Sequence, residues 1–269
     1  MFKPDPNASY QMPAHFGPRY IGPGTSGWYH DVTMMIVAYE TEREALQQYL
    51  PAPLRVADTP LVTVTYACNK KVDWLAGHGY NLIGVSAAVV YESEGERLEG
   101  NYTLVMWENL ADPILSGREL QGIPKIFADI PEHSVADGKW SCEAEHFGHP
   151  IVDMQIDKLR DPTAEEIAAN AEETAGRDHP IGWRFMPAVG GYGPARQEFT
   201  TFPSATNITE AQVGEGVVNW NALSWEQNPT QFHIVNALAA LPIVAYRPAL
   251  VARGSTNLVL PDSPTRVLR

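Results

Sequence analysis

The chain has 269 residues, 44% of them hydrophobic, and a formal net charge of −13. This apolar content suffices for a substantial core, and the length fits one large domain. The excess of acidic side chains repels phosphate backbones and anionic lipid surfaces, which argues against nucleic acid and membranes as partners. No stretch approaches the roughly 18 uninterrupted apolar residues of a membrane span. Because residues 1–6 also lack the apolar run of a secretory signal, we expect a cytoplasmic protein.

The N-terminal segment, residues 1–27, is rich in proline and glycine and shows no sustained periodicity. We interpret it as an extended arm that precedes a single domain over residues 28–269. Cys68 and Cys142 are too few for a disulfide framework and do not form a Cys-x-x-Cys pair. We expect both to be reduced, buried thiols.

Short apolar or alternating segments predict strands along the whole domain. They cover residues 33–39, 61–67, 82–91, 102–107, 140–146, 151–156, 183–186, 217–225, 243–246 and 258–260. Helices are predicted over residues 41–50 and 162–175, each opened by a capping box, and over residues 229–240. Residues 190–193 are expected in a hairpin turn, since no lysine and hydroxyl residue follow to make a phosphate loop. Many strands, about three helices and no regular alternation of the two favour an antiparallel α+β fold.

Residues 116–127 contain the most informative lysine of the chain. Lys125 follows a proline, has apolar neighbours and comes after two glycines that bend the backbone. A buried ammonium with no anion near it tends to lose its proton, and the free amine attacks ketones and aldehydes. Lys125 is therefore a candidate Schiff-base nucleophile. The alternative is a lysine whose stem is buried while its head group reaches water.

Three other side chains of this segment are candidates for contacting a substrate. Gln121 lies four residues before Lys125, a spacing that places both on one side of either a helical turn or a strand. Its amide can donate to a carboxylate or carbonyl oxygen, or it can bond the loop backbone instead. Arg118 and Glu119 are expected to form a structural ion pair first, with a substrate contact by Arg118 as the second possibility.

The pattern Gly-Arg-Glu-Leu-x-x-x-Pro-Lys, which begins at Gly117, resembles the acetoacetate decarboxylase family. The similarity extends over residues 29–261, although only the lysine motif is chemically specific. In that family the lysine forms an imine with the substrate ketone. The resemblance implies a closed, cone-like β-barrel with Lys125 inside it.

Departures from the family pattern change the expected reaction. Decarboxylases of the family carry a second lysine after the first, and its charge depresses the pKa of the nucleophile, whereas this chain has Ile126. They also carry an arginine and two glutamates where an ungapped alignment places Val32, Thr65 and Leu82. The resemblance therefore implies the branch of the superfamily that performs aldolase and dehydratase chemistry on 2-oxo acids such as pyruvate.

The expected protein is accordingly a lysine Schiff-base lyase that condenses a 2-oxo acid with an aldehyde, needs no metal or organic cofactor and forms a homo-oligomer. Tyr246 is the candidate proton-transfer group, although it also fits an ordinary buried tyrosine. Met106 and Trp107 are candidates for lining the pocket, and strand pleating allows only one of them to face inward. The alternatives are decarboxylation of acetoacetate by the same imine, and a non-enzymatic barrel that binds a small hydrophobic molecule.

Overall fold

The computed structural model describes residues 2–177, 179–258 and 265–269. Within them, strands dominate and form one mixed sheet. The strands are β1 (Trp28–Glu40), β2 (Arg55–Val56), β3 (Leu61–Val72), β4 (Tyr80–Ser93), β5 (Glu96–Glu108), β6 (Lys125–Phe127), β7 (Ser134–Ala136), β8 (Lys139–His146), β9 (His149–Arg160), β10 (His179–Pro187), β11 (Pro194–Thr201), β12 (Ala205–Trp220), β13 (Ala245–Tyr246), β14 (Ala249–Asn257) and β15 (Arg266–Val267).

Four α-helices lie in the described part of the chain, one more than expected: α1 (Arg43–Gln47), α2 (Ala111–Ser116), α3 (Ala164–Thr174) and α4 (Phe232–Ala240). The capping box of α3 is confirmed, because the Thr163 hydroxyl accepts from the Glu166 amide and the Glu166 carboxylate accepts from the Thr163 amide. The capping box predicted at Thr41 is wrong. Helix α1 begins at Arg43 after an extended Glu42 and has no side-chain cap.

The sheet runs in the order β15, β11, β10, β5, β4, β3, β1, β14, β12, β9, β8, β7. The predicted closed antiparallel barrel is not confirmed, because the end strands β15 and β7 do not pair with each other in the described residues. The sheet is also mixed, since β6 and β10 both run parallel to β5. A parallel neighbour requires a crossover connection, and for β6 that connection is α2 with the turn that follows it.

The two faces of the central strands are buried to different degrees. Alternate residues such as Met35 and Val37 of β1 are fully buried, whereas Met34 and Ile36 are half-buried on the opposite face. The fully buried face belongs to the main core, which includes Val64, Tyr66, Ile83, Val85, Val105, Trp107 and Ile156. A second, smaller cluster around Tyr29, Val32, Ala67, Val72 and Tyr80 lies apart from it.

Several local predictions have clear outcomes. The turn at residues 190–193 joins β10 to β11 as expected, and both cysteines are free and buried. Strand β12 begins at Ala205, well before the predicted start at residue 217, and ends at Trp220. Residues 259–260 of the predicted last strand lie outside the described residues. Among the helices that are described, none has the length and apolarity needed to cross a membrane.

Candidate active site

A π-helical turn, Gly117–Gln121, continues α2 and leads the chain towards β6. Turns of this kind are rare and concentrate at functional sites. Gly122 ends the turn with a φ of 74°, in the left-handed region that favours glycine. A Cβ at Gly122 would also come within 2.5 Å of the Arg184 backbone nitrogen on β10. The turn therefore packs backbone to backbone against the sheet.

Lys125 is the first residue of β6 and is only 7% exposed. Its ammonium nitrogen lies 2.7 Å from Oε1 of Glu108, a carboxylate that is completely buried. The parallel register places Met106 opposite Lys125, and Glu108, two residues later on β5, projects from the same face. Sequence reasoning assumed that no anion lies near this lysine. That assumption is wrong, and Glu108 is the functional candidate it missed.

The Glu108 carboxylate has few partners for a buried charge. Although Lys125 is within ion-pair distance, neither carboxylate oxygen makes a well-aligned hydrogen bond to any described residue. Burial raises the pKa of Glu108, and the charge of Lys125 opposes that effect. Because the upward effect of burial is the larger one, Glu108 holds a proton more readily than an ordinary glutamate does.

Two buried tyrosines extend the polar environment of Glu108. The hydroxyls of Tyr29 and Tyr80 lie 3.2 Å apart, and the indole of Trp74 donates to Tyr29 at 3.0 Å. Burial raises the pKa of both tyrosines, and the field of Glu108 adds to the increase. Both phenols therefore stay protonated and serve as uncharged hydrogen-bond groups beside the carboxylate.

Position 117 requires glycine because the Lys125 side chain lies directly against its backbone. A Cβ on Gly117 would lie 2.5 Å from both Cδ and Cε of Lys125 and 3.0 Å from its nitrogen. These atoms have little room to move, because the lysine is buried and held against Glu108. The first residue of the π-helical turn therefore fixes the path of the Lys125 side chain.

We expect Gly117→Ala to displace Lys125 from Glu108 and to lower the stability by about 1–3 kcal/mol. Urea unfolding measures the effect. Gly191→Ala is the matched control, because its nearest contact would be an ordinary 3.9 Å from Ala188. Equal stability of the two variants would show that the space beside Gly117 does not constrain the lysine.

Arg118 and Glu119 do not form the expected ion pair. The Arg118 guanidinium donates to the Lys125 carbonyl at 2.9 Å, so it ties the π-helical turn to β6. Glu119 accepts instead from Gln11 at 3.4 Å. Gln121 is half-buried and its backbone carbonyl accepts from the Thr200 hydroxyl. Its side-chain amide makes no hydrogen bond to a described residue, which leaves it free to contact a ligand.

Met106 and Trp107 point to opposite faces of β5. Trp107 is completely buried in the main core, where its indole donates to Gln231 at 2.8 Å. Met106 is half-buried and lies directly opposite Lys125. Of the two candidates for lining a pocket, the structure therefore brings Met106 to the lysine and holds Trp107 away from it.

The family model of acetoacetate decarboxylase (ADC) matches residues 11–253. The chain belongs to the acetoacetate decarboxylase family. An acetoacetate decarboxylase from Burkholderia cenocepacia (strain HI2424) is 34% identical over 136 residues, which are 48% of this chain and 52% of the relative. The chain thus matches about half the length of this curated relative.

Solved structures agree with the family at the level of the fold. Acetoacetate decarboxylase from Legionella pneumophila superposes with a TM-score of 0.73 and 20% identity, covering 94% of this chain and 92% of that one. The enduracididine biosynthesis enzyme MppR, complexed with the condensation product of pyruvate and imidazole 4-carboxaldehyde, gives a TM-score of 0.66 and 14% identity over 99% of this chain and 97% of that one.

Thr65 and Leu82 lie on the same face of the sheet as Lys125. Leu82 lies directly opposite Glu108, and Thr65 lies opposite Gly84, which in turn lies opposite Met106. Residues opposite one another in a ladder share a face. Thr65 and Leu82 therefore place uncharged side chains on the face that carries Lys125 and Glu108.

Tyr246 lies elsewhere. It is 38% exposed on β13, which pairs with β1, and its hydroxyl contacts the backbone of Val218 at 3.3 Å. Its ring packs on Tyr39. None of these contacts joins it to Lys125 or Glu108, so the structure gives no support to Tyr246 as the proton-transfer group of this family member.

Proposed function

We propose that this family member is a lysine Schiff-base lyase that acts on a 2-oxo acid such as pyruvate. The Lys125 amine adds to the keto carbon, and loss of water leaves an iminium. The iminium withdraws electrons, so the adjacent methyl group loses a proton and an enamine forms. The enamine carbon bonds to the carbonyl carbon of an aldehyde, a second water leaves, and hydrolysis releases an unsaturated 2-oxo acid and the free lysine.

The observation that carries this proposal is the buried pair of Lys125 and Glu108, 2.7 Å apart. In decarboxylases of the family a second lysine activates the nucleophile, and Ile126 cannot do so here. Glu108 supplies another route. Its pKa is raised by burial, so it can accept the proton of the ammonium and leave an uncharged amine and an uncharged acid in place of two buried charges.

Glu108 then serves the later steps as well. Once the iminium forms, an ionised Glu108 beside it replaces the original ion pair, and the total charge of the site is unchanged. The same carboxylate, 2.7 Å from the lysine nitrogen, is proposed as the base that takes the methyl proton and, once protonated, as the acid that protonates the departing water. No metal or organic cofactor enters any step.

Gln121 is proposed to bind the substrate carboxylate from the π-helical turn, with Arg118 beside it. We expect Gln121→Leu to lower turnover about tenfold and to raise the pyruvate concentration needed for trapping, because one donor to the carboxylate is lost. The measurement is trapping as a function of pyruvate concentration. If trapping and turnover both equal those of the parent, the Gln121 side chain has only a structural role in the turn. Arg118 is then the next candidate for binding the substrate carboxylate.

Decarboxylation of acetoacetate is the second candidate, and the name of the Burkholderia relative favours it. The uncharged Val32, Thr65, Leu82 and Ile126 weigh against it, because nothing at these positions replaces the charges that decarboxylases use. We therefore expect little release of carbon dioxide from acetoacetate. Brisk release, measured manometrically with the Burkholderia enzyme as reference, would reverse the order of the two candidates.

The proposal is tested by incubating the protein with pyruvate and sodium borohydride and measuring its mass. We expect one reduced pyruvate adduct, mapped by peptide sequencing to Lys125. Labelling of the exposed Lys70 or Lys71 instead, or of no lysine, contradicts the proposal and favours a non-enzymatic ligand-binding protein.

A further inference from the structure

The sheet face that carries the Lys125–Glu108 pair has mainly apolar side chains on the neighbouring strands, with Thr65 as the exception in the two rows beside the pair. Two rows of directly opposite residues cross β6, β5, β4, β3 and β1. They are Lys125, Met106, Gly84, Thr65 and Ile36 in one row, and Phe127, Glu108, Leu82, Ala67 and Met34 in the next. Within these rows only Lys125 and Glu108 are charged, and each neutralises the other.

This face is less covered than the opposite one. Met34, Ile36, Leu82 and Met106 are half-buried, whereas their neighbours on the core face are fully buried. Gly84 contributes no side chain, and a Cβ there would lie 3.3 Å from the end of Met106. The surface next to the reactive nitrogen is thus apolar, partly accessible and lined by long, adaptable side chains.

Asn69 supplies an independent sign of a ligand. It follows on the same face of β3, opposite Val32 and Tyr80, and is only 5% exposed. Its amide nitrogen is buried and has no hydrogen-bond partner among the described residues. Buried donors normally have acceptors, so this one indicates an acceptor that a bound molecule provides. The Asn69 amide can donate to an oxygen of the bound molecule.

A ligand with a charged substituent does not suit this face of the sheet. The single cation in the rows is Lys125, which lies 2.7 Å from Glu108. In the proposed reaction Glu108 is ionised beside the iminium, so at that stage it repels a second carboxylate. The donors that suit a carboxylate, Gln121 and Arg118, belong to the π-helical turn and not to these rows. The π-helical turn on one side of Lys125 therefore suits a carboxylate, whereas the sheet face on the other side suits an uncharged group.

We propose that this face binds the body of the aldehyde partner and selects an uncharged, apolar substituent, aromatic or branched alkyl. The inference rests on the proposed Schiff-base function of Lys125. It deepens that function by assigning the carboxylate of the 2-oxo acid to the turn and the apolar aldehyde to the sheet.

The test compares benzaldehyde with 4-carboxybenzaldehyde, which differs by one negative charge. Each is incubated with the protein and cyanoborohydride, so that an amine and the aldehyde form an imine with loss of water and hydride reduces it. Peptide mass spectrometry compares labelling of Lys125 with that of the exposed Lys139, which corrects for intrinsic reactivity. We expect the Lys125 to Lys139 ratio to be at least about tenfold higher for benzaldehyde.

Leu82→Ala should lower this preference several-fold while pyruvate trapping persists, because it removes apolar contact area and leaves the nucleophile in place. Leu98→Ala, another half-buried leucine that packs on the main core, should leave the preference unchanged. Equal ratios for the two aldehydes, or no labelling of Lys125 above Lys139, overturn the inference. Failure of pyruvate trapping with the benzaldehyde preference intact overturns the 2-oxo acid proposal alone.

Discussion

Lys125→Met should abolish imine trapping and turnover and should also destabilise the fold. The first effect follows because methionine has no nucleophilic amine, and at least a 10³-fold loss is expected when a covalent catalyst is removed. The second follows because Glu108, completely buried, loses the cation that lies 2.7 Å away. Breaking one side of a buried ion pair costs about 3–5 kcal/mol. Borohydride trapping and urea unfolding at pH 7 measure the two effects separately.

The double variant Lys125→Met with Glu108→Leu is the control for stability. It removes both charges, so it should regain most of the lost stability and stay inactive. If the single and double variants are equally stable, the unpaired Glu108 carboxylate does not lower the free energy of unfolding, and the prediction is wrong.

The single Lys125→Met variant should also become less stable as the pH rises. Burial raises the pKa of Glu108 in the folded state, and removal of Lys125 eliminates the charge that lowers it. Above the ordinary glutamate pKa the unfolded chain has released this proton while the folded chain keeps it, so the stability falls with increasing pH. In that window the slope approaches about 1.4 kcal/mol per pH unit, and the double variant should lack it.

The sequence predicted strands β1, β3, β4 and β5 around the site because their alternation and β-branched content are strong, but it did not predict β6, the short strand that carries Lys125. It did not predict the length of β12, since residues 205–216 contain glycine, threonine and glutamate in a pattern typical of a loop. The sequence also did not reveal that the sheet stays open instead of closing into a barrel. Closure depends on which strands pair, and pairing between strands as distant as β5 and β10 leaves no local pattern in the sequence.

The lysine was found from its motif, and its carboxylate partner was missed. The predicted strand ended at Trp107, so Glu108 was excluded, and an acidic residue at a strand end normally faces water. The available signal was the spacing of Glu108 from Met106, which places both on one face of β5. Only the parallel register with β6, set by α2 and the π-helical turn, brings that face to Lys125.

Glu108→Gln should slow catalysis while leaving the nucleophile in place. The substitution keeps the shape of the side chain but removes both the proton acceptor and the counter-charge of the iminium. Loss of a positioned acid or base costs typically 10²–10⁴-fold, so we expect turnover to fall in that range, whereas borohydride trapping at long incubation still labels Lys125.

The pH dependence of trapping distinguishes an acid–base role of Glu108 from a purely structural one. In the proposed mechanism the ammonium proton of the parent passes to a carboxyl group whose pKa is raised by burial, so the proton stays within the site. In the Glu108→Gln variant the proton must leave to solvent, and the trapping rate should rise with pH more steeply than in the parent between pH 6 and pH 9. Glu108→Asp, which keeps the carboxylate but shortens its reach, should restore the shallow profile at a reduced rate. If the profiles of the parent and the Glu108→Gln variant are parallel, Glu108 only holds Lys125 in position, and the amine must be activated by burial alone.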